Sequence, residues 1–300
     1  MTIPIIGPEA DTRLDWFALT RALAAGHDLP RAEIGDTFLY RDPDTMLSRS
    51  AWIDGLGLLV KTATIFPGNK ATGKPAIGGA VSLFSDTDGA LAAMLDFALV
   101  TKWKTAGDSL LAATRLARPD SERVLIVGAG AVARSLHEAY SAAFPDARFA
   151  IWSRTAATAR AFAAERGIDH APDLEAAVRA ADIVTCATMT TVPILRGDWL
   201  RPGQHVDLIG AYRPDMREAD DVALRRADIF VDARATTLDH IGELRIPLAQ
   251  GVIAPGDVIA DHYDGDAMRR TSDDQITLFK NGGGAHLDLM TARYILDAVG

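Results

Sequence analysis

A single cysteine, Cys186, in 300 residues leaves no internal disulfide framework and no cysteine-based zinc site, which fits a reducing compartment. No run approaches the roughly 18 uninterrupted apolar residues that a membrane span needs. The opening "MTIPIIGPEADTR" lacks the basic start and long apolar region of a signal peptide, so a cytoplasmic location without a membrane partner is expected. Positive charge is also short. With 31 Lys and Arg against 40 Asp and Glu, the net charge of −9 argues against a nucleic-acid or anionic-membrane surface and favours small-molecule chemistry. Lysine is scarce, six residues against 25 arginines, and five of the six (Lys61, Lys70, Lys74, Lys102 and Lys104) fall in one segment. A chain so biased to arginine is expected to keep lysine where an ammonium matters.

What is present is an ordinary globular composition, 48% hydrophobic and 24% charged, long enough for a full core and two domains. A mixed N-terminal part is followed by an alanine-rich stretch, "DGALAAMLDFALVTKWKTAGDSLLAATRLA", that reads as helix to about Ala117. The charged, proline-bearing "RPDSER" then marks a domain hinge. Beyond it, short apolar runs ("RVLIVGAG", "RFAIWSR", "ADIVTCAT", "QHVDLIGA", "ADIFVDAR") alternate with helical segments, the pattern of a parallel sheet with crossover helices. "DQITLFKNGGG" leads into a closing amphipathic helix.

Within "VLIVGAGAVARSL", Gly128, Gly130 and Ala133 form G-x-G-x-x-A between an apolar strand and an amphipathic helix. The first glycine turns the chain, the second admits a pyrophosphate to the backbone, and the small third residue lets helix and strand pack closely. Ala131 and Val132, opening the helix, join Gly128 and Gly130 as cofactor-binding positions. The end of the next strand reads "IWSRT", where an NAD site usually carries a carboxylate for the ribose 2′-hydroxyl and an NADP site a cation for the 2′-phosphate. Ser153, Arg154 and Thr155 offer two hydroxyls and a guanidinium, which favours NADP(H), with NAD(H) as the alternative; Thr155 also reads as a helix N-cap. Thr188, at the carboxyl end of "IVTCAT", lies where a ligand crevice belongs. Cys186 reads as a buried strand residue.

Lys61 follows the apolar run "LGLLV", so its ammonium needs a buried partner or a ligand unless it lies on a solvated edge. Lys102 and Lys104, two apart on a helix, point to different faces, and at most one is expected to meet a pocket.

The segments "VKTATIFPGN", "TKWKTAGDS", "VLIVGAGAVA", "GAYRPDMREAD" and "ITLFKNGGGAHLDLMTA", in this order, resemble the ornithine cyclodeaminase and mu-crystallin family, which includes alanine dehydrogenases and cyclic ketimine reductases. The resemblance implies an α/β fold in which a Rossmann-type doubly wound parallel sheet, residues 118–284, is inserted into an α+β substrate and dimerisation domain formed by 1–117 and 285–300. It implies a homodimer. It makes Lys61 the substrate-binding lysine and sets Lys104 where most members have an arginine gripping the substrate carboxylate. The second carboxylate-binding arginine aligns with Arg41, or alternatively Arg49. Asp288 matches an aspartate near the family's active site, with His286 a lesser candidate.

Two departures bear on the reaction. Lysine at position 104 trades a bidentate fork for a point charge. Tyr212 in "GAYRPD" stands where cyclodeaminases have a catalytic aspartate, and tyrosine is a poor base near neutrality; Asp215 has no claim to replace it. Reduction of a cyclic ketimine asks mainly for a carboxylate clamp and a placed nicotinamide. The expectation is an NADP-dependent reductase of Δ1-pyrroline-2-carboxylate, or its piperideine homologue, with Lys61, Lys104, Tyr212 and Asp288 as catalytic residues. The alternatives are ornithine cyclodeaminase with bound NAD, or a non-catalytic mu-crystallin-like binding protein. No metal site is expected.

Overall fold

In the computed structural model, which describes residues 3–300, strand alternation shapes a first unit made of the chain up to Lys104 together with Gly284–Gly300. After β1 (Ile5–Ile6) and α1 (Trp16–His27) come β2 (Glu33–Arg41), β3 (Asp44–Ile53), β4 (Gly57–Ile65), β5 (Ile77–Phe84) and β6 (Leu91–Asp96). They form one sheet in the order β1-β6-β5-β4-β3-β2, antiparallel except for β1 beside β6. Inward-facing Ala51, Ile53, Leu59, Val81, Leu83 and Leu95 are buried, each large apolar side chain contributing about 1.5–3 kcal/mol. The chain's closing helix packs against β3, β4, β5 and α1. On the opposite face Leu39, Met46, Trp52 and Val60 are exposed.

The alanine-rich stretch departs from the expected single helix. Leu91–Asp96 is strand β6, and the helix α2 (Phe97–Leu116) begins after it. Alanine's helix preference amounts to tenths of a kcal/mol per residue. Here β6 is paired on both sides, by β5 and β1, and buries Ala93 and Leu95. The Asp96 carboxylate accepts the Leu99 N–H at 2.7 Å, which fixes where the helix starts.

The second unit, Thr105–Gly283, is doubly wound. Its elements are β7 (Arg123–Val127), α3 (Ala131–Ala143), β8 (Arg148–Trp152), α4 (Ala156–Arg166), β9 (Asp169–His170), α5 (Leu174–Ala180), β10 (Ile183–Cys186), β11 (His205–Leu208), α6 (Asp221–Arg226), β12 (Asp228–Val231), α7 (Arg234–Thr237), α8 (Gly242–Ala249), β13 (Val258–Asp261) and β14 (Thr277–Lys280). The closing helix of the first unit is α9 (Ala285–Val299). The eight strands run parallel in the order β13-β12-β14-β11-β10-β7-β8-β9. β8 lies on one side of β7 and β10 on the other, so the order reverses there and leaves a crevice at the carboxyl ends of the strands.

The units divide within α2, after Lys104, rather than at the charged segment around Pro119. Ala112 and Leu116 share a core with Phe230, Ala260 and Phe279, and Arg270 donates to the Leu116 carbonyl at 2.8 Å. These contacts hold the end of α2 and the chain after it in the second unit. No helix among the described residues is long and apolar enough to cross a membrane.

Candidate active site

In the first unit, β3, β4, α2 and α9 bring three cations to one carboxylate. Lys61 lies inside β4, with Arg49 opposite it on β3, so both side chains share the face that α9 covers. Lys61 is buried, and its ammonium donates to Asp288 Oδ1 at 2.7 Å and to Thr101 Oγ1 at 2.8 Å. The Phe97 ring lies 4.7 Å from Lys61 Nζ. Asp288, in the first turn of α9, is fully buried, a placement favoured by the helix dipole. Arg49 donates to Asp36 at 3.0 Å and lies 3.9 Å from Asp288 Oδ2. Lys104 is buried, and its charge acts on both Lys61 and Asp288.

Burial lowers the pKa of Lys61, Asp288 opposes the shift, and Lys104 and Arg49 add to it. For Asp288, burial pushes upward, but Lys61, Lys104 and Arg49 overcome it and hold the carboxyl below its ordinary range. Asp288 is therefore ionised at neutral pH. Three cations face one buried carboxylate, with Asp36 also on Arg49, and such a cluster can take a second carboxylate from outside.

In the second unit, the glycine turn opens the crevice. Gly128 has φ +110°, and a Cβ there would stand 2.6 Å from the Ala187 carbonyl oxygen. Gly130 is the N-cap of α3 with no side-chain cap, and a Cβ there meets nothing within 4 Å. The first N–H groups of such a helix, here those of Ala131 and Val132, have no intrahelical partner and are the kind of donors a phosphate takes. A cavity of about 390 Å³ is lined by Gly128, Ser153, Arg154, Thr155 and Thr188, and also by Thr158. These residues fit a dinucleotide. Arg154 is exposed at the cavity, with no carboxylate among the lining residues. Thr155 is the N-cap of α4, without a side-chain cap bond.

The structure thus gathers Lys61, Lys104 and Asp288 in one unit, and Gly128, Ser153, Arg154, Thr155 and Thr188 in the other. Arg41 does not join them. At the end of the β2–β3 hairpin its side chain is 78% exposed, paired with Asp44 at 2.7 Å and lying over the Phe66 ring. Arg49 holds the place beside Asp288 because it is cross-strand from Lys61, a register that sequence spacing did not reveal. Lys102 turns away, donating to Asp11 at 2.8 Å. Tyr212 follows β11 in the second unit and is 58% exposed; Asp215 is paired with Arg213. His286 is buried edge-on to His27, and Cys186 is buried in β10, where burial pushes its thiol up. Sequence reading missed Thr101 and Thr158. It also missed Glu218, a fully buried residue whose carboxyl is pushed up to about 8 by burial against the pull of Lys280.

A cluster of cations around one carboxylate, in one chain with a doubly wound dinucleotide-type fold, is the pattern of nicotinamide-dependent enzymes acting on small carboxylates. The chain belongs to the ornithine cyclodeaminase/mu-crystallin family, whose pattern matches residues 46–300. It is 52% identical over 296 residues to a Delta(1)-pyrroline-2-carboxylate reductase of Paracoccus denitrificans, covering 96% of this chain and 94% of that one. It is 32% identical over 243 residues to the ketimine reductase mu-crystallin of Mus musculus, covering 80% and 76%. Among solved structures, an archaeal alanine dehydrogenase dimer with bound NAD superposes with a TM-score of 0.89 at 25% identity, covering 99% of this chain and 96% of that one.

Proposed function

We propose that the protein is an NADPH-dependent reductase of a small cyclic ketimine carboxylate, converting Δ1-pyrroline-2-carboxylate to L-proline. The observation that carries this reading is the cluster of buried Lys61 and Lys104 and half-buried Arg49 around Asp288, which presents positive charge for a carboxylate. The 52% identity to a reductase of that name over nearly the whole chain supports it. Arg49, Lys61 and Lys104 grip the substrate carboxylate, and Asp288 and Thr101 hold the Lys61 ammonium in place. The residues Gly128, Ser153, Arg154, Thr155 and Thr188 would hold a reduced nicotinamide dinucleotide, which when bound would supply hydride-donor chemistry for the imine. The imine, once protonated, is already electrophilic, so the protein's work is orientation and charge placement.

Arg154 supports NADPH over NADH, since a guanidinium at the end of β8 matches a 2′-phosphate. The uncovered apolar face bearing Leu39, Met46, Trp52 and Val60 supports a homodimer, as does the dimeric state of the similar alanine dehydrogenase. A monomeric mass by light scattering at micromolar concentration would contradict the dimer. The reaction is tested by supplying NADPH and Δ1-pyrroline-2-carboxylate and identifying L-proline as the product; cofactor left unoxidised would refute the reading.

A further inference from the structure

The crevice at the strand ends is held from beneath by a residue with no place in the anion cluster or the glycine turn. Glu218 is fully buried, in the segment before α6. Its Oε1 accepts both the backbone N–H and the hydroxyl of Thr188, each at 2.7 Å. Its Oε2 accepts the N–H of Gly210 at 2.6 Å and that of Ala211 at 3.4 Å. Thr188 follows β10 and Gly210 follows β11, so one carboxylate ties together the loops that leave two adjacent parallel strands. The loops touch: a Cβ on Gly210 would lie 1.9 Å from the Thr188 carbonyl oxygen.

Glu218 is itself fixed. Its backbone N–H donates to Glu243 Oε2 at 2.6 Å, and its carbonyl accepts from Ile194 and Leu195, each at 2.9 Å. The neighbouring Arg217 N–H donates to the Thr190 carbonyl at 3.0 Å, a second tie to the loop after β10.

A doubly wound sheet binds a dinucleotide as two mononucleotide halves across the reversal in strand order. The β7–β8 half carries the glycine turn and the Ser153–Thr155 segment. The β10–β11 half, across the reversal, is the one Glu218 braces. We propose that Glu218 is the positioning residue of the nicotinamide half of the cofactor site, fixing the Thr188 and Gly210–Ala211 loops through their four donated hydrogen bonds. This rests on the dinucleotide reading of the crevice. Glutamine preserves the shape of Glu218 but replaces one acceptor oxygen by an NH2, which meets donors whichever way the amide turns.

The test compares two ligands on the full-length protein. NADPH occupies both halves, whereas adenosine 2′,5′-bisphosphate occupies only the half of the glycine turn and Arg154. Glu218→Gln is expected to weaken NADPH about tenfold or more, as loss of two buried hydrogen bonds implies, while the bisphosphate stays within about twofold. Thr188→Ala, which removes the hydroxyl arm and keeps the N–H arm, is expected to give a smaller loss of the same selectivity and covers the case in which Glu218→Gln does not fold. Equal weakening of both ligands would show a general structural role and overturn the proposal, as would unchanged NADPH binding in both variants. Absence of imine reduction by the wild-type protein would instead defeat the functional reading and leave this binding comparison to be judged by itself.

Discussion

Lys61 and Asp288 are 227 residues apart in the chain, yet Lys61 Nζ lies 2.7 Å from Asp288 Oδ1 with both side chains buried. The pair ties the middle of the first unit's sheet to the helix that closes the chain. Removing one member of a buried ion pair strands the other. Lys61→Met is therefore expected to abolish most imine turnover, leave NADPH affinity unchanged and destabilise the protein by about 3 kcal/mol, the low end for such a pair because Arg49 and Lys104 still face Asp288. Urea unfolding of Lys61→Met, beside NADPH titration and imine turnover, checks this. Full activity in Lys61→Met would put the clamp elsewhere.

The same pair sets a pH dependence. Burial, aided by Lys104 and Arg49, lowers the pKa of Lys61 from 10.5 despite Asp288, so its charge is held at low pH and is lost as pH rises through a value below 10.5. Binding of pyrrole-2-carboxylate, a planar carboxylate whose own charge is constant above neutrality, is expected to weaken with rising pH before 10.5 is reached. Lys61→Arg, which stays charged, should flatten the profile. Calorimetric titration across the alkaline range decides; a flat wild-type profile would show that Lys61 does not hold the ligand.

Much of the second unit was legible because its signals are local: apolar runs ending in turns, a glycine pattern between strand and helix, and the "SRT" triplet after β8. The first unit was not, since its strands are long-range pairings among mixed residues, and Leu91–Asp96 has a helix-forming composition that pairing with two strands overrides. Lys61 stood out as a charge in an apolar run. Arg49 over Arg41 could be chosen only from register, and Glu218, although it lies in the family-like segment "GAYRPDMREAD", could not be singled out there, because its role comes from two loops that meet in space.

Arg154 should act as the cofactor discriminator. A charge-assisted bond to a 2′-phosphate is worth about 1.5–3 kcal/mol. Arg154→Ala is expected to weaken NADPH roughly tenfold to a hundredfold and leave NADH nearly unchanged, measured by fluorescence titration. Equal loss for both cofactors would make Arg154 structural.

Tyr212, which the family resemblance sets where cyclodeaminases have an aspartate, is more than half exposed. Tyr212→Phe is expected to cost imine reduction less than about tenfold, because the imine can arrive already protonated. Steady-state rates with saturating NADPH measure it. A loss of a thousandfold would assign the phenol a direct part in proton transfer.

The most direct measurement sets two reactions side by side on one preparation: NADPH oxidation with Δ1-pyrroline-2-carboxylate, and ammonia release from L-ornithine with NAD. Rapid NADPH oxidation with ammonia release slower by orders of magnitude is the expected result, since the cation cluster suffices for the imine and Tyr212 supplies no carboxylate. Comparable rates would contradict it by showing that this site performs cyclodeamination, and silence in both would leave a binding protein.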